Sequence, residues 1–230
     1  MTPLVLLPGM MCDARLFSPQ IEVFAQHRAV HIAPISACDT VSELAHEVLA
    51  SAPTRFALAG LSMGGIVAME ILRIAPDRVE RIALLDTNPK AETDAVRALR
   101  EPQIAKVKQG ELLTVMRDEM KPNYLAQSPN NLRILDLCMS MAGDLGSEVF
   151  VRQSRALQTR PDQQETLRAA TLPALILCGK EDVLCPVHRH ELMHILMPHS
   201  QLAIIEHAGH MPTLEQPKTT NAALQRWLEE

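Results

Sequence analysis

Residues 56–76, FALAGLSMGGIVAMEILRIAP, change character twice within a few positions. Phe56–Ala59 is a short continuous apolar run, the pattern of a strand buried on both faces. Ile66–Ile74 has the length and spacing of a helix, closed by Pro76. Between them stands Gly60-Leu61-Ser62-Met63-Gly64-Gly65, a G-x-S-x-G string. Alone that string is weak, because small residues are common. Set between a strand and a helix, it predicts a turn so tight that a serine projects from the end of the strand. Gly60 and Gly64 are then required because a Cβ at either would meet neighbouring backbone.

The same strand signal recurs outward from this segment, at Leu4–Leu7, Ala29–Ala33, Ile82–Leu85, Ala174–Cys178 and Leu202–Ile205. Helical patterns lie between most of the runs, at Ser42–Ala50, Ile66–Ile74 and Val187–Leu196, with Asn221–Leu228 after the last. Strands alternating with helices predict an α/β fold with a doubly wound, mostly parallel sheet of about six strands. One interval breaks the rhythm. From Asn88 to Arg168 only helical patterns occur, with Leu112, Leu113, Met116 and Met120 on one face and Ile134, Leu137, Cys138 and Met141 on another. Pro102, Pro122, Pro129 and Pro161 punctuate it. The expected organisation is a core of residues 1–88 and 169–230, with 89–168 as a helical cap.

Composition narrows the function. The chain has 230 residues and a net charge of −5 with no basic stripe, which argues against a nucleic-acid partner. Residues 89–168 are slightly basic relative to the rest, which reads first as a solvated helical face. No apolar run reaches membrane-spanning length, and the N-terminus lacks the pattern of a signal segment, so a soluble, cytoplasmic protein is expected. The five cysteines have no CxxC spacing, so neither a disulfide framework nor a zinc site is predicted. Aromatic residues make up 3% of the chain and there are 12 methionines, so aliphatic and thioether groups should form the interior and pocket walls.

A serine hydroxyl needs a base, and the base needs a carboxylate to fix its tautomer. His210 follows the last strand, on the edge where active sites of such sheets gather. His207 is its competitor. Asp182 follows Ala174–Cys178; Asp86 follows Ile82–Leu85 and is a second carboxylate at an equivalent edge; Glu181 is a third.

The order Ser62, Asp182, His210 is similar to that of the α/β-hydrolase superfamily. Gly179-Lys-Glu-Asp182-Val-Leu-Cys-Pro186 resembles its G-x-x-D-x-x-x-P loop, and the run from His210 to Pro217 resembles its H-x-P-x-x-E-x-P ending. Leu6-Leu7-Pro8-Gly9-Met10 resembles its oxyanion loop, with Pro8 in place of the usual histidine. The resemblance covers nearly the whole chain and is closest to small capped esterases, enol-lactonases, carbon–carbon bond hydrolases and the menaquinone-pathway lyase. It implies Ser62 as nucleophile, His210 as base and Asp182 as acid, with the N–H groups of Met10 and Met63 as oxyanion hole. It also implies a sheet without the family's N-terminal hairpin, ordered second–first–third–fourth–fifth–sixth. The expected activity is hydrolysis of a small ester, thioester or lactone through an acyl-enzyme, with no cofactor and no metal. The alternatives are a lyase or carbon–carbon hydrolase using the same residues, or a non-catalytic binding protein. Met116, Met120, Met141 and Met211 are read as packing first and as walls of a lipophilic pocket second. Arg97, Arg100, Arg152 and Arg155 are the candidate contacts for any substrate carboxylate. His190 and His194, at i and i+4, read as a solvated helix face rather than metal ligands.

Overall fold

The computed structural model describes residues 1–127 and 131–229. Six parallel strands form one sheet: β1 (Leu4–Leu7), β2 (Val30–Ile32), β3 (Phe56–Leu61), β4 (Val79–Leu85), β5 (Ala174–Gly179) and β6 (Gln201–Ile205), in the order β2-β1-β3-β4-β5-β6. This is the expected order. β4 begins earlier than its apolar run because Glu80 and Arg81 lie near the opposite end of the sheet, where Glu80 meets Thr2 and Arg55.

Successive strand residues face opposite sides, so each strand feeds two cores. Leu4, Leu6, Ala57, Ala59, Leu61, Leu175 and Leu177 join Phe17 and Phe24 with Leu224 and Trp227, which come from α1 (Ser18–Phe24), the turn before it, and α9 (Pro217–Glu229). Val5, Leu7, Phe56, Leu58, Ile82, Leu84 and Ile176 pack on α2 (Val41–Ser51), α3 (Met63–Ile74) and α8 (Val187–Leu196). All six strands therefore end on one edge, and the turns leaving that edge carry Gly9, Ser62, Asp86, Asp182 and His210.

Between β4 and β5 the described residues form helices and no strand: α4 (Asp94–Lys108), α5 (Leu112–Val115), a π-helical turn (Met116–Met120), α6 (Asn131–Gln158) and α7 (Gln164–Ala169). α6 kinks at Gly146, where φ is 81°. Ala156, Leu157 and Leu167 join the second core, so the end of this insertion packs on the body.

Three expectations change. Pro102 does not break the chain but sits inside α4. Leu113 is 51% exposed and not on the buried face, because Leu112, Val115 and Met116, at i, i+3 and i+4, form the inward set. His190 is fully buried rather than solvated, because α8 lays its 190, 193 and 196–197 face on the sheet. Pro129 lies outside the described residues. Among those described, no helix is long and apolar enough to cross a membrane.

Candidate active site

Ser62 occupies the turn between β3 and α3 with φ 54° and ψ −115°, a conformation that L-residues avoid. Neighbouring backbone imposes it. A Cβ on Gly60 would meet the Gly64 carbonyl oxygen at 2.3 Å, and one on Gly64 would meet the Leu7 oxygen at 2.1 Å. The turn is further held by Ser62 N–H donating to Leu85 O (2.9 Å) and Thr87 Oγ1 donating to Ser62 O (2.7 Å). The Ser62 hydroxyl itself has no hydrogen-bond partner among the described residues.

The loop after β1 lies directly against this turn, and a Cβ on Gly9 would sit 3.5 Å from Ser62 Cβ. Gln153 of α6, buried within an otherwise apolar face, fixes that loop. Its Oε1 accepts from Met11 N (2.8 Å) and its Nε2 donates to Ile35 O (2.9 Å). The N–H groups of Met10 and Met63 meet no acceptor among the described residues, and Met63 N–H also begins α3, whose dipole favours negative charge.

His210 and Asp182 form a buried pair, Nδ1 to Oδ2 at 2.8 Å. The other Asp182 oxygen accepts from Leu184 N (2.8 Å) and Cys185 N (2.9 Å). Burial acts to raise the Asp182 carboxyl, but His210 and the Cys185 N–H outweigh it and leave it below the ordinary carboxylate range. His207 instead points into solvent, and Glu181 is exposed. Asp86 is fully buried beside Asp182. Burial and the neighbouring Asp182 charge push its carboxyl well above the ordinary range.

Glu215 ties this edge to the insertion. Its carboxylate accepts from Ala126 N (2.8 Å), Gly209 N (2.9 Å) and Met211 N (3.0 Å), while His210 N donates to Tyr124 O (2.7 Å). The sequence pattern marked the position of Glu215 but not its three donors, two of which are local and one 89 residues away. Glu215→Ala leaves those N–H groups without a carboxylate and is expected to cost about 3 kcal/mol, with Glu215→Gln milder because the amide oxygen still accepts. Equilibrium denaturation of the two variants checks this.

Met116, Met141 and Met211 are buried in the core shared by body and insertion, and Met120 packs against it. Cys138 Sγ lies 3.4 Å from Met211 Sδ, and Asp13 N donates to Met141 Sδ at 3.4 Å. The four arginines are engaged elsewhere. Arg97 pairs with Asp94 (3.2 Å), Arg100 with Glu92, Arg155 with Glu101, and Arg152 with Ser36 O (2.9 Å) and Glu148 (3.4 Å). Asp182, Cys185 and His210 each bring one donor atom within 4.8 Å of the others, a spacing a metal ion can bridge. Here that spacing is filled by the His210–Asp182 hydrogen bond, and burial pushes the Cys185 thiol up to about 12.

The sequence model of the alpha/beta hydrolase family matches residues 4–223. A pimeloyl-[acyl-carrier protein] methyl ester esterase of Aliivibrio salmonicida is 23% identical, over 98% of this chain and 92% of its own. A thermophilic esterase from Thermogutta terrifontis superposes with a TM-score of 0.91 at 25% identity, over 100% of this chain and 90% of its own. The enol-lactonase of Burkholderia xenovorans LB400 superposes at 0.89 with 18% identity, over 100% and 92%.

Proposed function

Since the chain belongs to the alpha/beta hydrolase family and is an enzyme of that fold, we propose that it is a serine esterase working through an acyl-enzyme on a small aliphatic ester. Ser62 Oγ attacks the ester carbonyl while His210 Nε2 takes its proton. The oxyanion of the tetrahedral intermediate is received by the N–H groups of Met10 and Met63. His210 then protonates the leaving alcohol and, in the second half, deprotonates the water that releases the acid. Asp182 holds the imidazole in the tautomer that leaves Nε2 free to accept.

The observation that carries this reading is the 2.8 Å Asp182–His210 pair on the same strand edge as the strained Ser62 turn. The names of two similar proteins, a methyl ester esterase and an esterase, support an ester as the substrate class. The helices between β4 and β5 serve as a cap, and Met116, Met120, Met141 and Met211 form the acyl wall. With Arg97, Arg100, Arg152 and Arg155 each held by a carboxylate partner, none of these four is offered to a substrate carboxylate, which favours an uncharged acyl group.

Two measurements test the proposal. A fluorophosphonate should add once, on the tryptic peptide Phe56–Arg73; labelling anywhere else moves the nucleophile. On p-nitrophenyl esters of graded chain length, Met116→Ala and Met120→Ala should shift the optimum toward longer acyl chains, by roughly tenfold in kcat/KM ratio for one or two methylenes of extra room. An unchanged ratio in both variants removes the methionines from the pocket.

A further inference from the structure

We infer that Asp86 is a neutral carboxylic acid whose O–H donates to the Asp182 carboxylate, making it a positioning residue for the His210–Asp182 pair. The inference rests on the role proposed above for Asp182 and adds a fourth member behind it.

The geometry supplies the argument. Asp86 is fully buried at the end of β4, one residue beyond the strand, with φ 44°. Its N–H donates to Leu177 O (2.9 Å), and its Oδ1 accepts from Gly179 N (2.9 Å). Its Oδ2 is buried and receives no N–H or O–H from any described residue. The Asp182 carboxyl is its side-chain hydrogen-bonding neighbour, and both groups are buried on the same strand edge. Two carboxylates this close and this dry cannot both ionise, so one proton is shared between them. The donors decide where it resides. Asp182 accepts from His210 Nδ1, Leu184 N and Cys185 N, whereas Asp86 accepts from one N–H only. The negative charge therefore belongs to Asp182 and the proton to Asp86 Oδ2. The oxygen that lacked a donor then becomes one, and its orphaned state is resolved.

The other titratable groups around Asp86 supply no competing cation. They are Cys178 and Cys185, whose thiols burial keeps protonated, Glu215, and His190. His190 Nε2 accepts from Thr87 N (3.1 Å), so that nitrogen carries no proton, and burial brings the ring down to about 4. The same Thr87 donates its hydroxyl to Ser62 O. Asp86 and Thr87 thus connect the acid loop to the nucleophile turn through two consecutive residues.

A neutral acid in this arrangement has a carbonyl accepting from Gly179 and an O–H donating to Asp182. Asparagine reproduces both with Oδ1 and Nδ2, but alanine reproduces neither. In an infrared difference spectrum of wild type against Asp86→Asn at about pH 8, far above an ordinary carboxyl, the band of a protonated carboxylic acid should be present in wild type and lost in the variant. A carboxylate band lost in its place overturns the proposal. The spectrum needs no turnover, so failure of the serine mechanism leaves this result readable.

Kinetics supply the second arm. Asp86→Asn should keep kcat/KM within about threefold with the same pH profile. Asp86→Ala should lose about tenfold in kcat. Its acid limb should move up by roughly one pH unit, because Asp182 without its donor holds the His210 proton more tightly. Equal impairment of the Asn and Ala variants, or an Ala variant with an unmoved limb, overturns the positioning role. If Asp86→Ala does not fold, the spectrum and the Asn variant still decide.

Discussion

Ser62→Ala is expected to lower kcat on the best ester by about 10⁵–10⁶-fold while leaving the fold intact. The size follows from removing the nucleophile of a unit whose members act together. The survival of the fold follows from geometry. Alanine keeps the Cβ that the turn already tolerates at φ 54°, and the lost hydroxyl has no hydrogen-bond partner among the described residues. Stability should therefore change by no more than about 0.5 kcal/mol. Ser62→Gly should go further and stabilise, since glycine relieves a positive φ that costs a non-glycine residue about 1–2 kcal/mol. A denaturation midpoint that rises while turnover vanishes identifies strain held for function. Retention of more than about 1% of kcat in Ser62→Ala, far above the loss expected for a nucleophile, moves the attack to another group.

That strain is not confined to Ser62. The four non-glycine residues with positive φ among those described are Met11, Ser62, Asp86 and His207, at 54°, 54°, 44° and 57°. Each lies just beyond β1, β3, β4 or β6, on the edge that carries the site. At about 1–2 kcal/mol apiece they take a visible share of a typical total stability of about 5–15 kcal/mol. They persist because the surrounding backbone leaves no alternative, as the 2.1 Å approach of a Gly64 Cβ to Leu7 O illustrates.

The legibility of the sequence divides along the same physical line. The strands could be read because burial on both faces makes each a continuous apolar run, and their order followed from the resemblance. The serine turn could be read because its clashes force glycine at fixed offsets. Contacts between residues distant in sequence left no local trace. Gln153 looks like any polar residue on a long helix until Met11 and Ile35 are brought to it from 142 and 118 residues away. Arg100 and Arg155 looked available because the spacing of Arg100 from Glu92 and of Arg155 from Glu101 matches no helical neighbour rule. His190 was misread for a related reason. Its i, i+4 partner His194 suggested an outward face, while its true partner, Thr87, is 103 residues earlier. Asp86 was visible as a rival to Asp182, but only three-dimensional proximity shows that the two carboxyls are neighbours.

Asp182→Asn is expected to lower kcat by about 10⁴-fold, whereas Asp86→Asn stays mild. The asymmetry comes from what each amide does to its partner. At position 182 the Asn oxygen can still accept from Leu184 and Cys185 N–H, which turns the NH₂ toward His210 Nδ1. The imidazole must then accept at Nδ1 and carry its proton on Nε2, where it cannot take a proton from Ser62. The loss should fall on kcat and leave KM nearly unchanged, because nothing on the substrate side has moved. Stability adds an independent check with a definite sign. The folded Asp182 carboxyl lies below its ordinary value. Its contribution is therefore fully present above the unfolded value of about 4 and is lost as pH falls through the folded value. The stability gap between wild type and Asp182→Asn should be widest at neutral pH and close on acidification. If Asp182→Asn retains a tenth of the activity or more, against the 10⁴-fold loss expected of the orienting acid, while Asp86→Asn is dead, the acid is Asp86. The proton assigned to Asp86 then belongs to Asp182.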